Sequence, residues 1–186
     1  LQKKCISSVV KVHEVVEGSS DFNISGKSPE NAHKQLVCIG RLNENKNFIT
    51  LFKAVSILKL KRSDFSVSMY YTSNESEDDL KAYCTKNNLN DYIKFKGAIP
   101  KTQIESVLNS ADVFVSCSLY EGSGYSLIEA LACGTFPVVS YIPAFDFLLK
   151  GLDKKEQFRP KNELELAAKL NKALDHEFTN TQKETI

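Results

Sequence analysis

The chain has 186 residues, 42% of them hydrophobic and 25% charged, and its 24 basic and 23 acidic side chains leave a formal net charge of +1. A chain of this size and composition forms one globular domain and buries roughly 70% of its unfolded surface without disulfides or metals. The near-zero charge excludes a polycation that would hold nucleic acid or an anionic bilayer non-specifically. No apolar run reaches the roughly 18 residues of a membrane span, and no signal peptide is visible.

Residues 8–16 are apolar and β-branched and predict a strand or extended segment, followed by a polar loop over 17–34 with Gly18, Gly26 and Pro29. Leu36-Val37-Cys38-Ile39 is a short continuous apolar run ending in Gly40, the pattern of a strand buried on both faces. Residues 41–47 form a polar connection. Residues 48–60 then place Leu51, Ala54, Val55 and Leu58 on one helical face. A strand over 65–71 precedes a helix over 76–87, where Ser76 and Asp79 have the spacing of a capping-box variant. A strand over 92–95 runs into Gly97, a short helix covers 102–109, and a strand covers 113–117. Residues 127–133 predict a helix stopped by Gly134, which suits a left-handed C-terminal cap. A strand over 136–140 and a helical turn over 144–149 follow. The last helix, 163–175, carries Leu164, Ala167, Leu170 and Leu174 on its apolar face, and the tail from His176 is polar.

This alternation predicts an α/β fold, doubly wound around an open, mostly parallel sheet, in a single domain spanning 1–186. Ligands of such sheets sit outside the carboxyl ends of the strands. Four such ends fall at Gly40-Arg41, Tyr71-Thr72, Gly97-Ala98 and residues 118–121, so the polar and glycine-rich stretches converge on one edge. The five cysteines, Cys5, Cys38, Cys84, Cys117 and Cys133, are odd in number and form no C-x-x-C pair. Reduced core thiols in a cytoplasmic protein are the expectation, with no metal site. His13, His33 and His176 are scattered, and no Ser-His-Asp or Cys-His arrangement emerges.

Chemistry concentrates between Ser118 and Val139, where Glu121 and Glu129 flank Gly122 and Gly124 ahead of a helix. Glycines there permit close approach of a ligand to the backbone, and a helix N-terminus presents N–H groups to an anion. Glu129 follows Ser126 at capping-box spacing, so it is either a helix cap or a carboxylate that accepts hydrogen bonds from a diol such as ribose. Glu121 is either a solvated loop acid or a ligand contact. Arg41 and Lys46 follow the first core strand; cations in loops are usually solvated, yet opposite a glycine loop they would complete a diphosphate pocket. Neither a Walker A loop nor a G-x-G-x-x-G fingerprint is present.

Four runs in this order resemble one family: Gly40-Arg41-Leu42 with Lys46-Asn47; Phe95-Lys-Gly97-Ala-Ile-Pro100; Ser110-Ala-Asp-Val-Phe-Val115; and Glu121-Gly-Ser-Gly-Tyr-Ser-Leu-Ile-Glu129-Ala-Leu-Ala-Cys-Gly134-Thr. They are similar to the C-terminal half of the group 1 (family 4) glycosyltransferases of the GT-B fold, and the resemblance covers about residues 37–143. The glutamates carry the family's E-x7-E spacing. The resemblance implies a retaining transferase that uses a nucleoside-diphosphate sugar and needs no metal or other cofactor. Arg41, Lys46 and Glu121 would form the catalytic set, the two cations holding the donor diphosphate. Glu121, with backbone N–H groups of Gly122, Ser123 and Gly124, would meet the donor sugar, while Tyr125 and Ser126 would meet the phosphates. Glu129 would bind the ribose, and Ala98 and Ile99 would border the base. The acceptor, a sugar, glycan or lipid-linked species, would belong to an N-terminal half expected to precede Leu1. The expected location is the cytoplasm, with any contact to the inner membrane face made by that half.

Three departures from the family pattern stand out. The strand ending at Tyr71 runs into Thr72-Ser-Asn-Glu75 instead of a glycine loop. Tyr141-Ile-Pro-Ala-Phe-Asp146 replaces a Gly-Gly-x-x-Glu run, so a family carboxylate is lost or displaced to Asp146. Ser123 stands where a bulky apolar residue is common. They motivate an alternative, a catalytically degenerate module that binds a nucleotide-sugar or a protein. A flavodoxin-like flavin-binding domain is a third option.

Overall fold

The computed structural model describes residues 21–25, 33–73, 75–153 and 155–175. The strand expected over 8–16, most of the 17–34 loop and the tail from His176 lie outside them. Six parallel strands form one sheet in the order β3-β2-β1-β4-β5-β6. They are β1 (Lys34–Gly40), β2 (Phe65–Tyr71), β3 (Ile93–Gly97), β4 (Val113–Ser116), β5 (Phe136–Ser140) and β6 (Glu156–Phe158). The helices between them are α1 (Phe48–Leu58), α2 (Glu77–Lys86), α3 (Lys101–Ser110), α4 (Tyr125–Ala132) and α5 (Pro143–Leu148), and α6 (Glu163–Asp175) follows β6. The chain winds outward from β1 to β3, returns to lay β4 beside β1, and winds the other way to β6. The strand order therefore reverses between β1 and β4, which is where open α/β sheets bind ligands.

Central strands need apolar residues on both faces, and these have them. β4 and β5 are buried along their whole length. Alternate residues of β1 point into two separate cores, Leu36 and Cys38 into one and Val37 into the other. The first core packs against α1, α2 and α6, the second against α3, α4 and α5, giving three layers. Cys38, Cys84, Cys117 and Cys133 are buried and form no disulfide among the described residues, and burial raises the Cys84 thiol to about 11.

The structure changes several expectations. Helix α6 turns Leu166, Ala167, Leu170, Ala173 and Leu174 inward and leaves Leu164 70% exposed, so the apolar face is rotated from the one expected. No side chain caps α2 at Ser76. Its Glu77 instead accepts from the Tyr71 hydroxyl at 2.8 Å and pairs with Lys81 at 2.6 Å. β6 is an additional element. Three residues, Glu156-Gln-Phe, show too little alternation to predict a strand, yet they pair with β5. Glu156 sits under α6, bonded to Lys169 at 2.7 Å and also to Lys172. Arg62 ties the end of α1 to α6 by bonding Asp64 and Asp175, each at 2.7 Å.

Candidate active site at the switch point

A cavity of about 490 Å³ opens at the carboxyl edge of the sheet, within the usual range for a small-molecule site. Three of the four strand ends that the sequence singles out reach it, and the chain just past the fourth, Gly97-Ala98, reaches it through Ile99. β1 contributes Gly40, Arg41 and Lys46; β2 contributes Tyr70, Tyr71 and Thr72; Ile99 follows β3; Glu121, Gly122 and Ser123 follow β4. Helix α4 adds Tyr125, Ser126 and Glu129.

The bank after β1 is built by asparagines. Leu42 is fully buried and anchors the loop in the core. The Asn43 side chain accepts from the Lys46 N–H at 3.2 Å and caps a single 3-10 turn, Glu44–Lys46. Asn47 takes up the left-handed conformation at φ 49°, a region that asparagine tolerates. Its amide donates to the Cys117 carbonyl at 3.4 Å. Asn45 donates to the Tyr120 carbonyl, and its own carbonyl accepts from the Leu119 N–H, both at 2.8 Å. Two loops about 75 residues apart in sequence are thus stitched together. The sequence reads as a merely polar connection there; the signal was an asparagine at every second position.

Across that stitch the Lys46 ammonium donates to Glu121 Oε1 at 2.5 Å. The Ser118 hydroxyl donates to the same oxygen at 2.6 Å. Lys46 and Glu121 are 17% and 15% exposed, so the ion pair lies in the wall and still reaches the cavity. Arg41 is exposed on the same bank.

Helix α4 begins at Tyr125, two residues before the start expected from periodicity. Gly124 is its N-cap at φ 70°, and no side chain caps the helix. Ser126 is therefore the second helical residue, and the capping-box option for Glu129 falls away. Glu129 lies one turn beyond Tyr125, on the face that lines the cavity. It is 4% exposed, and burial raises its pKa against the opposing pull of Lys101. A buried carboxyl that no described hydrogen bond reaches suits a partner with hydroxyl donors.

Gly124 and Ala98 do not line the cavity. A Cβ on Gly124 would stand 2.9 Å from Leu148 and 3.2 Å from Phe145, so this glycine faces α5. Gly122 has open space at its Cβ position and does line the cavity. Asp146 is exposed in the first turn of α5 and does not reach the cavity.

The sequence model of the glycosyl transferases group 1 family matches residues 20–186. The chain belongs to this family. The chain is 24% identical over 119 residues to a GDP-mannose:cellobiosyl-diphosphopolyprenol alpha-mannosyltransferase of Komagataeibacter xylinus, a match that covers 63% of the chain and 30% of the relative. The chain thus spans about a third of the length of the curated relatives it matches. Among solved structures it superposes on the C-terminal domain of a glycosyl transferase group 1 protein from Francisella tularensis. That match has a TM-score of 0.72 and 18% identity, and covers 89% of this chain and 90% of the other. It also superposes on HepE of Anabaena, solved in complex with UDP and glucose, with a TM-score of 0.69 and 19% identity over 82% and 40% of the two chains. The group 1 transferase domain and its Rossmann-like GT-B fold agree with the expectation from the motifs.

Proposed function

We propose that this group 1 domain binds a nucleoside-diphosphate sugar and supports transfer of its glycosyl group, with retention, to an acceptor held by an N-terminal half. The observation that carries the reading is the meeting of opposite charges at the β1–β4 switch point: Lys46 and Arg41 on one bank, Glu121 and the start of α4 on the other. When the bond from the sugar's anomeric carbon to the β-phosphate oxygen breaks, its electron pair stays on the phosphate. Fixed cations and helix N–H groups aimed at that oxygen stabilise the developing charge more than the ground state, which is what lowers a barrier. Lys46 would exchange its bond to Glu121 for the phosphate. Glu121 would then offer its carboxylate to the sugar hydroxyls, and Glu129 would take the ribose.

The reading calls for no metal ion, because protein cations neutralise the diphosphate. It predicts saturable binding of one of UDP, GDP or ADP, and of the matching UDP-glucose, GDP-mannose or ADP-glucose, in calorimetry with EDTA present. Absence of binding across the whole panel would refute it. The polyprenol-linked acceptor named for the Komagataeibacter relative makes a lipid-linked acceptor the first to assay. No helix among the described residues is long and apolar enough to cross a membrane.

A second reading, binding without turnover, is favoured by one observation: Asp146 does not replace the carboxylate missing after β5. Normal donor binding with no glycosyl transfer by the complete protein would select it.

A further inference from the structure

We infer that Ser118 is a positioning residue for Glu121, held in place by two further buried serines, and that it sets how well the site grips the sugar portion of its ligand. The inference rests on the donor-site reading above.

Ser116 and Ser118 are two residues apart at the end of β4, so both point to one side of the sheet while Cys117 points into the opposite core. Ser118 and Ser140 are fully buried, and Ser116 is 9% exposed. Burying a hydroxyl so deeply costs free energy unless it is hydrogen-bonded. The Ser118 hydroxyl has one proton and gives it to Glu121 Oε1 at 2.6 Å. Its oxygen lies 3.2 Å from Ser116 Oγ. Since the Ser118 proton is committed to a carboxylate that can only accept, Ser116 must be the donor in that contact. Ser140, at the end of β5, donates to the Ser118 carbonyl at 2.5 Å and fixes the backbone. The chain of bonds runs from two strand ends to one carboxylate oxygen.

That oxygen also receives Lys46. Both described bonds to Glu121 therefore fall on Oε1, which orients Oε2 as the oxygen available to the cavity. When Lys46 turns to a diphosphate, Ser118 is the remaining described partner that holds the carboxylate. Ser118 does not line the cavity, so it acts through Glu121 and touches no ligand.

The test compares a ligand with and without its sugar. Calorimetry on the chain would measure UDP, GDP and ADP against UDP-glucose, GDP-mannose and ADP-glucose, for the wild type, Ser118→Ala, Glu121→Ala and the double variant. For the nucleotide that binds, Ser118→Ala should leave diphosphate affinity within about twofold while weakening the sugar conjugate by about tenfold, the scale of one lost bond to a charged group. In the Glu121→Ala background Ser118→Ala should have no further effect, because the two act as one unit. Ser116→Ala, a milder change that removes only the bond to Ser118, should move the same ratio in the same direction and serves if Ser118→Ala misfolds. Equal weakening of the diphosphate and its sugar conjugate would make Ser118 a packing residue and overturn the proposal. So would a full effect of Ser118→Ala without Glu121. A wild-type chain that binds none of the six ligands overturns the donor-site reading first, and this role with it.

Discussion

Two glycines separated by one residue should respond very differently to the same added methyl group, one destabilised and the other unaffected. Gly124 sits at φ 70°, where an L-residue costs about 1–2 kcal/mol. Its new Cβ would also lie 2.9 Å from Leu148 Cδ1 and 3.2 Å from Phe145 Cε1. Leu148 is half-buried and can turn aside, but Phe145 is fully buried and cannot. Overpacking of this kind typically costs about 1–3 kcal/mol, so Gly124→Ala should lose about 2–5 kcal/mol in all. For a domain of this size about 2–4 °C of Tm accompanies each kcal/mol, which gives a drop of roughly 4–20 °C. Gly122→Ala meets nothing within 4 Å, and its φ lies outside the left-handed region. It should change stability by less than about 0.5 kcal/mol. Thermal and urea unfolding of the two variants beside the wild type decides the matter. If Gly124→Ala melts with Gly122→Ala, the argument that Gly124 serves the α4–α5 packing is wrong.

The two buried glutamates should give opposite pH signatures. Burial raises the folded-state pKa of Glu129, so the folded chain holds that proton more tightly than the unfolded one. Stability should then fall as pH rises from the ordinary carboxylate range through the raised value. Urea midpoints between pH 4 and 8 should show this slope flattened in Glu129→Gln, which should also bind the nucleoside diphosphate about tenfold more weakly. For Glu156, burial pushes the pKa up, but the bonds from Lys169 and Lys172 outweigh it and the net shift is downward. Its stabilisation is present above the ordinary carboxylate pKa and disappears as pH falls through the lowered one. Glu156→Gln should therefore cost about 1 kcal/mol at pH 7, modest because both lysines are partly exposed. The difference from wild type should vanish in acid, and a pH-independent difference would contradict the ion-pair account.

The layout was legible in the sequence because period and punctuation are local. The runs over 65–71, 136–140 and 163–175 coincide with β2, β5 and α6, since short continuous apolar stretches and helical spacing need no distant information. What escaped depends on partners far along the chain. β6 is a strand because β5 supplies its hydrogen bonds. Gly124, the N-cap of α4, is a glycine where α5 leaves room only for a hydrogen. The site divides in the same way. Arg41, Lys46, Glu121 and Glu129 carry charge in unusual positions and could be singled out. Ser118 and the three asparagines look like any polar residues until β1 and β4 lie side by side.

The join between β1 and β4 is also the place where the two halves of the sheet meet. Its strand register pairs only Leu36 with Val113 and Val37 with Phe114, whereas β1 matches β2 from Lys34 to Gly40. Much of what fastens this seam at its open end is the loop stitching and the bond between Lys46 and Glu121. If the site binds its donor as proposed, a ligand gripping both banks would act as a further clasp, and its binding energy would be drawn on whenever the halves part. Amide exchange along β1 and β4 is then the part of the molecule's breathing that reports most directly on occupancy.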